Sequence, residues 1–542
     1  MRITTSLLAI GLAISGALAP SGLGVGAETV PAAVGEPLRL AILAPMTVPP
    51  GEDGVLDAAL LEEYTTPGGL LASQLGHLGG REVTLAIDPM ILASIRALGT
   101  AAPAAATEWL TRLSKLPNST FALQWADANP ALAIQAEQAV PVAPHLRLDA
   151  DLFAAEGVEI VPGDSGDPVI PPLPSQTQLV AWAHSLDAIA WPGDSTLGTD
   201  DLDGLVAAGF ATVIVDSTHV TSTSSSAHVD LGPLDGVIAD DVVSSLLRST
   251  IAAPSDDAWA LSFEALTNVL SDRASSPRPI TLASLDRMDH RVPHRLSQTL
   301  DALATLDWLQ LSPLDDVLEQ PTAGATYVND DATDPRAATI GELFRAENDV
   351  TAFASALDEP SGLLGARRAK LLALLSTAWD SDSTRWAAAA EQYLTDCRGI
   401  VGAVTVQGSS TINLLADSGP FPVTVRNDLA HPVTVYVTVR PDRPILRVLD
   451  ARVELSIPAN SQAKAMVPIQ TVANGQVSST VSLSSADHTA ISTPVRVALN
   501  VQAGWETTVT VIVVTTVALM LLAGIWRTVR ARRQRAEGAN RE

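Results

Sequence analysis

The stretch that decides the fold is TTVTVIVVTTVALMLLAGIW, residues 507–526, near the end of a 542-residue chain. It contains no charged residue, and an arginine cluster follows it at once: Arg527, Arg530, Arg532, Arg533 and Arg535. About twenty apolar residues, at a helical rise of about 1.5 Å, span the roughly 30 Å hydrocarbon core of a bilayer. Because flanking arginines favour the cytoplasmic side, the sequence predicts a transmembrane helix at 507–526 and a basic cytoplasmic tail at 527–542.

The start of the chain predicts export. Arg2 precedes an apolar run at 3–19, and small residues follow it, ending in Val25-Gly26-Ala27. This pattern is typical of a secretory signal peptide at 1–27, with a retained N-terminal anchor as the alternative. We therefore expect a single-pass type I protein of the cell membrane, with its bulk outside and its C-terminal tail in the cytoplasm.

Charge and cysteine content narrow the function classes. The chain has a net charge of −27, and the exported part alone has about −32. So acidic a surface repels nucleic acid, and the chain has no Walker loop or dinucleotide fingerprint, so we expect no nucleic-acid or nucleotide partner. Cys397 is the only cysteine, which excludes an intrachain disulfide, and we interpret it as a buried, inert thiol.

Short apolar runs that stop at Pro or Asp predict buried strands in the first half of the chain. They are 38–44, 83–87, 120–125, 188–191, 212–215, 237–239, 280–285 and 308–311. Amphipathic periods between them, such as 104–116, 178–186 and 241–248, predict helices on both faces of a parallel sheet. The pattern favours an α/β domain at 38–335, an irregular (β/α) barrel, with an open doubly wound sheet as the alternative. A Pro-, Gly- and Asp-rich stretch at 141–174 predicts a long loop.

Two further parts follow. Residues 336–398 have helical periodicity and predict a helical appendix. Residues 400–503 alternate apolar with polar residues, as in FPVTVRN (421–427) and PVTVYVTVR (432–440). Short alternating strands of this kind predict an all-β, immunoglobulin-like sandwich next to the membrane.

This order of parts resembles an uncharacterised family of actinobacterial envelope proteins that carry a domain of unknown function. The likeness includes AIDP (86–89), WPGD (191–194), HRVPHRLSQTLDALATLDWLQLSPL (290–314) and the strands of the predicted sandwich. The resemblance covers nearly the whole exported chain and implies a cell-envelope location. It implies no activity, because the motifs are structural.

The predicted barrel is also similar in layout to polysaccharide deacetylases and related glycoside hydrolases. The deacetylase pattern places an Asp-Asp pair after the first strand, where this chain has Ala44-Pro45-Met46. No catalytic residue carries over from that resemblance.

Carboxylates at strand ends are the candidate catalytic groups, since functional residues of (β/α) barrels gather at the carboxyl ends of strands. The candidates are Asp88, Asp127, Asp194, Asp216, Asp240 and Asp286, of which Asp216, Asp88 and Asp194 are the preferred catalytic residues. Two carboxylates at about 5 to 10 Å could hydrolyse a glycosidic bond. The alternative is that these residues cap helices, which Asp commonly does after a strand.

Binding residues and metal ligands follow from the same strand ends. Trp125 and Trp191, with Asp127, are the candidate ligand-binding residues, because indole rings stack on sugars; a core role is the alternative. Asp286, His290 and His294 recur at four-residue intervals and form a weak candidate metal set, and a second set is Asp216, His219 and His228. Neither set matches a ligand signature, so we expect no metal and no cofactor.

Three hypotheses for function remain open. The first is an envelope protein whose exported part binds a cell-wall glycan or an envelope protein. The second is a glycoside hydrolase or deacetylase-like hydrolase that acts on wall polysaccharide. The third is a scaffold in a membrane complex of cell-wall synthesis, with a membrane protein as its partner.

Overall fold

The computed structural model describes residues 37–153, 173–193, 196–222, 226–275, 280–287, 294–330, 332–408, 412–414, 418–501 and 505–538. The predicted signal peptide and residues 154–172 of the predicted loop lie outside this range. Within it, the coarse prediction of fold class is confirmed. The chain is a multidomain, mixed α/β protein with sheets, helices and an apolar C-terminal helix.

One large sheet, here called the central sheet, is built by the first half of the chain, and each of the predicted apolar runs contributes a strand. Its strands are β1 (Leu38–Met46), β2 (Thr84–Ile87), β3 (Thr120–Ala122), β4 (Ile189–Ala190), β5 (Thr212–Asp216), β6 (Val220–Ser222), β7 (His228–Asp230), β8 (Asp235–Ala239), β9 (Ile280–Ser284), β10 (Leu309–Ser312) and β11 (Ala323–Tyr327). β1, β2, β5 and β9 are almost fully buried, which is why their sequences are continuous apolar runs.

Parallel pairs connect seven strands of the central sheet into one row. β1 pairs with β2, β9 and β10, and further parallel pairs join β2 to β3, β4 to β5, β5 to β8 and β8 to β9. The row is therefore β4-β5-β8-β9-β1-β2-β3. Apolar side chains from both ends of this row pack in one cluster, where the ring centroids of Phe121 and Trp191 are 6.2 Å apart. The two end strands thus approach each other through side chains.

A small antiparallel addition departs from the predicted alternation. In the sequence, β6 and β7 lie between β5 and β8, where a regular (β/α) repeat would have a helix. β6 pairs antiparallel with β11, and β7 pairs antiparallel with β8. The stretch that follows Asp216 contains many Ser, Thr and Val residues, and β-branched residues favour strands over helices.

Helices flank the central sheet: α1 (Ala58–Thr65), α2 (Leu70–Leu78), α3 (Pro89–Ala97), α4 (Ala104–Leu113), α5 (Pro130–Gln135), α6 (Gln176–Val180), α7 (Leu202–Ala207), α8 (Asp241–Ile251), α9 (Asp256–Ala274), α10 (Leu296–Ala304) and α11 (Leu314–Leu318). The predicted helix at 178–186 is wrong after Val180. The backbone N–H groups of Ser185 and Leu186 instead donate to the carbonyl oxygen of Thr120, each at 3.1 Å, which ties this segment to the start of β3.

The predicted helical region contains α12 (Ala337–Phe353), α13 (Ser361–Leu374) and α14 (Ser383–Val401). Gly365 lets α13 approach the backbone of His145, because a Cβ at this position would lie 1.7 Å from the His145 carbonyl oxygen. Cys397 on α14 is buried, as predicted.

Two sheets follow the helices, with strands β12 (Val404–Val406), β13 (Ile412–Leu414), β14 (Ser418–Asn427), β15 (Val433–Pro441), β16 (Leu446–Val448), β17 (Val453–Ile457), β18 (Ser461–Thr471), β19 (Gly475–Ser484) and β20 (Val495–Val501). Sheet I has the order β12-β14-β18-β16, and sheet II has the order β13-β20-β19-β15-β17. Their inward side chains form a common core, to which Phe353 and Leu357 of the helical region also belong. The period-two alternation of the sequence thus separates buried from outward-facing residues.

The last element is α15 (Trp505–Gly538). Within Val509–Arg533, the most apolar 18-residue window has a mean hydropathy of 2.4, and none of that window is buried. In the described part of the chain, this is the one helix long and apolar enough to cross a membrane. The helix extends beyond the predicted end at 526, since the arginines that follow are good helix formers.

Candidate functional site

A small cleft lies at the carboxyl ends of the parallel strands, where α/β proteins place their ligands. Trp191 follows β4, Asp216 ends β5, Ala239 ends β8 and Ser284 ends β9, and each lines the cleft. His219 and Tyr327 complete its wall, with their rings 6.1 Å apart. The volume is about 30 Å³, which is room for a projecting group and not for a whole sugar ring. The fold thus brings two predicted residues, Asp216 and Trp191, into one cleft.

Asp216 and Asp241 form an interacting pair of carboxyl groups beside this cleft. Asp216 accepts a hydrogen bond from the Thr218 N–H at 2.7 Å, and the Asp241 N–H donates to the Ser217 hydroxyl at 3.0 Å. Burial raises the pKa of Asp241, the Asp216 carboxylate raises it further, and Arg248 opposes both. A raised pKa is what a carboxylic acid needs to donate a proton near neutral pH. Sequence analysis did not single out Asp241, although the Asp-Asp doublet after β8 was available as a signal.

Arg287 joins Trp191 to Asp127. Its guanidinium carbon lies 4.2 Å from the centre of the Trp191 ring, and its Nη2 donates to the Trp191 carbonyl oxygen at 2.9 Å. Its Nε lies 3.1 Å from Oδ2 of Asp127, which also accepts from the Thr377 hydroxyl at 2.5 Å. The guanidinium therefore covers the Trp191 ring, whose residue is only 7% exposed. Arg287 was missed because a strand-end arginine has no motif of its own.

Asp88 is a buried helix cap. Its Oδ1 accepts from the backbone N–H groups of Met90, at 2.8 Å, and Ala126, at 3.0 Å, which fixes the start of α3 to the turn after β3. The residue is 0% exposed, and its Oδ2 has no hydrogen-bond partner among the described residues. Burial raises the pKa of Asp88 well above its ordinary value, and the charge of Asp127 adds to this. Asp88 is therefore a helix cap in the interior, outside the cleft.

Trp125 lies apart from Trp191. The two rings belong to different apolar clusters, and Trp125 is 3% exposed, with its indole N–H donating to the Gly54 carbonyl oxygen at 2.9 Å. The next two residues, Ala126 and Asp127, have φ angles of 56° and 49°, in the left-handed region that side chains rarely adopt. This turn directs Asp127 toward Arg287. A ligand-binding role for Trp125, Trp191 or Asp127 stays a prediction.

The remaining strand-end acids have structural partners. Asp240 accepts from the Val243 N–H at 3.1 Å and pairs with Arg273 at 2.7 Å, and Asp286 pairs with Arg248. Asp194 and His290 lie outside the described residues.

The candidate metal sets do not come together in the part of the chain that can be assessed. His294 is exposed, His228 contacts the Gln320 carbonyl oxygen through Nδ1 at 2.8 Å, and the ring of His219 lies beside that of Tyr327. Among the described residues, no three His, Cys, Asp or Glu side chains are placed to hold a metal ion.

Known proteins resemble parts of the chain. An MSP family member from Caenorhabditis elegans has 12% identity and a TM-score of 0.15, and the match covers 19% of this chain and 99% of that one. Native Escherichia coli alpha-2-macroglobulin has 9% identity and a TM-score of 0.16, with 19% of this chain and 7% of that one covered. The Escherichia coli chaperone DraB has 13% identity and a TM-score of 0.15, with 19% and 56% covered. Similarities this low carry no argument about function.

Sequence comparisons are more informative about the family than about activity. Comparison with curated proteins finds no match. The sequence model of a family of unknown function, DUF6049, matches residues 27–537.

Proposed function

Because the chain belongs to the DUF6049 family of unknown function, we propose its role from its own geometry. It is a type I, single-span protein of the cell envelope, and its exported α/β part binds a cell-wall glycan at the cleft formed by Trp191, Asp216, His219 and Tyr327. The observation that carries this proposal is the meeting of these aromatic and carboxylate side chains at the carboxyl ends of β4, β5, β8 and β9.

The chemistry of the cleft suits a hydroxylated ligand. The Asp216 carboxylate accepts hydrogen bonds, and the aromatic side chains of Trp191 and Tyr327 line the cleft beside it. Its volume of about 30 Å³ suits one projecting hydroxymethyl group of a polymer whose backbone stays outside. The acidic exported surface favours a neutral or cationic glycan over an anionic one.

The proposal also includes the architecture of the two exported domains. The row β1-β2-β3-β4-β5-β8-β9 closes into an irregular barrel, with Phe121 and Trp191 joining β3 to β4 by side-chain packing. Sheets I and II form an immunoglobulin-like sandwich between this barrel and the membrane.

The membrane anchor is supported by α15. Its length suits a bilayer, as does the mean hydropathy of 2.4 of its most apolar 18-residue window, and the arginines after Trp526 favour a cytoplasmic tail. The exported bulk would then stand on the outer side, where wall polymers are found.

A binding assay tests the proposal. The purified full chain is incubated with peptidoglycan and with isolated wall polysaccharides, and the bound fraction is measured after sedimentation. Asp216→Asn should weaken retention roughly tenfold, since a hydrogen bond to a charged group contributes about 1.5–3 kcal/mol. Asp307→Asn is the matched control, because Asp307 is exposed and lies in the loop before β10, away from the cleft. Equal retention of both variants would exclude the cleft, and no retention of the wild type would exclude a glycan ligand.

A second candidate, a hydrolase of wall polysaccharide, is favoured by the contact between Asp216 and Asp241. The raised pKa of Asp241 suits a general acid, and Asp216 is a second carboxyl group that interacts with it. Release of reducing ends, or of acetate, from wall polymers tests it. Loss of turnover in both Asp216→Asn and Asp241→Asn, with binding retained in Asp241→Asn, would favour the enzyme over the binding protein.

A further inference from the structure

One part of the outer face of sheet I is apolar, whereas its other outward positions are polar or basic. In the β14–β18 register, Pro420 lies opposite Pro468 and Pro422 lies opposite Met466. The Leu449 N–H donates to the Pro468 carbonyl oxygen at 2.9 Å, which places Leu449 beside them. Leu449 and Met466 are each 56% exposed. These five residues, Pro420, Pro422, Leu449, Met466 and Pro468, form a continuous surface, here called the proline face.

Sheet II has a different outer face. Its outward positions on β15 and β19 are mostly hydroxyl-bearing: Thr434, Tyr436, Thr438, Ser478, Thr480 and Ser482. Of these two outer faces, the one on sheet I therefore carries the grouped apolar side chains. A grouped apolar surface on only one side marks an interaction site more often than scattered apolar residues do.

The charge of sheet I also differs from that of the exported part. Its strands β12, β14, β16 and β18 contain no Asp or Glu, whereas the whole exported part has about −32. Arg447 and Lys464 occupy exposed outward positions at the border of the proline face. An apolar surface with basic side chains at its edge complements an anionic bilayer surface.

Connectivity places this face close to the membrane anchor. β20 ends at Val501 and α15 begins at Trp505. Val501 lies opposite Gly475 on β19, so the β18–β19 turn is at the same end, and Val472 in that turn is 60% exposed. Pro468 is three residues from the end of β18, which is about 10 Å at a strand rise of about 3.3 Å.

We propose that the proline face binds the lipid bilayer, so that sheet I lies on the membrane surface and sheet II faces away from it. Leu449, Met466 and Val472 enter the boundary between headgroups and acyl chains, while Arg447 and Lys464 contact anionic headgroups. The inference rests on the proposed membrane anchor, because α15 brings the sheet to the bilayer. The exported α/β part is then held at a fixed height and orientation above the membrane.

Site-specific quenching tests this proposal in the full chain. Leu449→Cys and Ala498→Cys variants are labelled with an environment-sensitive fluorophore and reconstituted in phosphatidylcholine–phosphatidylglycerol vesicles, with and without brominated acyl chains. Ala498 is the matched control, since it is exposed on sheet II and lies three residues before Val501, at the height of Pro468. Cys397 is buried, and burial raises the pKa of its thiol, so the unmodified chain serves as the labelling background.

Brominated lipid should quench the label at Leu449→Cys and leave the label at Ala498→Cys unchanged. Equal fluorescence at both positions, with the chain still resistant to alkaline carbonate extraction, would overturn the bilayer contact and leave the anchor standing. Extraction of the chain by carbonate would overturn the anchor itself. A label at Leu449→Cys that is unquenched in vesicles but shielded in native membranes would overturn the lipid proposal in favour of a membrane protein partner.

Discussion

Asp88 should make the stability of the fold depend on pH. Its Oδ1 holds two backbone N–H groups, while its Oδ2 is buried without a partner among the described residues. Because the folded-state pKa of Asp88 is raised, the folded state binds the proton more tightly than the unfolded state does. This contribution to stability is fully present below the unfolded pKa, about 3.9, and is lost as the pH rises through the folded pKa.

Substituting Asp88 should separate its hydrogen bonds from its charge. In Asp88→Asn the amide oxygen still accepts from Met90 and Ala126, so we expect stability at neutral pH equal to or above that of the wild type. In Asp88→Ala the acceptor Oδ1 and both of its hydrogen bonds are lost, and we expect a loss of about 1–3 kcal/mol in the free energy of unfolding. Urea unfolding at several pH values measures both. Asp88→Asn should also show a weaker decline of stability with pH, and an unchanged decline would contradict a raised pKa of Asp88.

Arg287 is the second residue whose substitution should strongly lower the stability of the fold. It pairs with Asp127 at side-chain exposures of 13% and 7%, and it also covers Trp191. Arg287→Ala leaves the Asp127 carboxylate buried without its cation, so we expect a loss of about 3–5 kcal/mol in the free energy of unfolding.

The control for Arg287 is Arg345, which pairs with Glu342 in an exposed position. Arg345→Ala should change stability by less than about 1 kcal/mol, because exposed ion pairs contribute little. Equal effects of the two substitutions in thermal or urea unfolding would show that the Arg287 pair is not buried in solution.

At the scale of elements, substituting alanine for each of two helical glycines should change stability in opposite directions. Gly365 in α13 faces the His145 backbone at a distance that admits no Cβ, whereas Gly399 in α14 has no atom within 4 Å of the position of an added Cβ. Gly365→Ala should destabilise the protein by more than about 1 kcal/mol, since the helix must move away from residue 145. Gly399→Ala should stabilise it by roughly 0.5–1 kcal/mol through helix propensity. Circular dichroism melting curves compare the two, and a tolerated Gly365→Ala would mean that the contact with residue 145 is absent.

Elements with strong periodicity were predictable from the sequence. Continuous apolar runs predicted the buried strands of the central sheet. Alternation of apolar and polar residues predicted the strands of sheets I and II. β6 and β11 were missed because each is a short strand that pairs with the other across about a hundred residues, and β7 was missed because it has only three residues. The helix predicted at 178–186 failed because hydrogen bonds from Ser185 and Leu186 to Thr120, far away in sequence, prevail over local periodicity.

The candidate site was predictable only in part. Asp216 and Trp191 followed from their position after strands, which is a local signal. Arg287, Tyr327 and Asp241 were missed, since their roles depend on pairings between segments that the sequence does not reveal. The same limit explains the capping roles of Asp88 and Asp240, which a strand-end position does not distinguish from catalysis.

At the scale of the whole molecule, the helical region and the two sheets share a core. Phe353 and Leu357 pack among the inward side chains of sheets I and II, Leu357 forms a β-bridge with Val433, and the Thr434 hydroxyl donates to Asp358 at 3.0 Å. Helices and sheets joined by a common core are expected to unfold together. Motion of the helical region relative to sheets I and II is therefore limited by this junction.

The topology of the chain gives the last prediction. Protease added to intact cells should remove the exported part and leave a protected fragment that contains α15 and the arginine cluster, detected by a C-terminal epitope. The reason is that the apolar helix holds the chain in the bilayer while the arginines resist translocation. Leu521→Arg, near the middle of Val509–Arg533, should cost about 2.5–3.5 kcal/mol of insertion and release chain into the soluble fraction. Leu521→Met, the matched control, should remain in the membrane. A full-length chain that survives protease while its C-terminal epitope is digested would reverse the orientation, and with it the placement of the cleft on the outer side of the membrane.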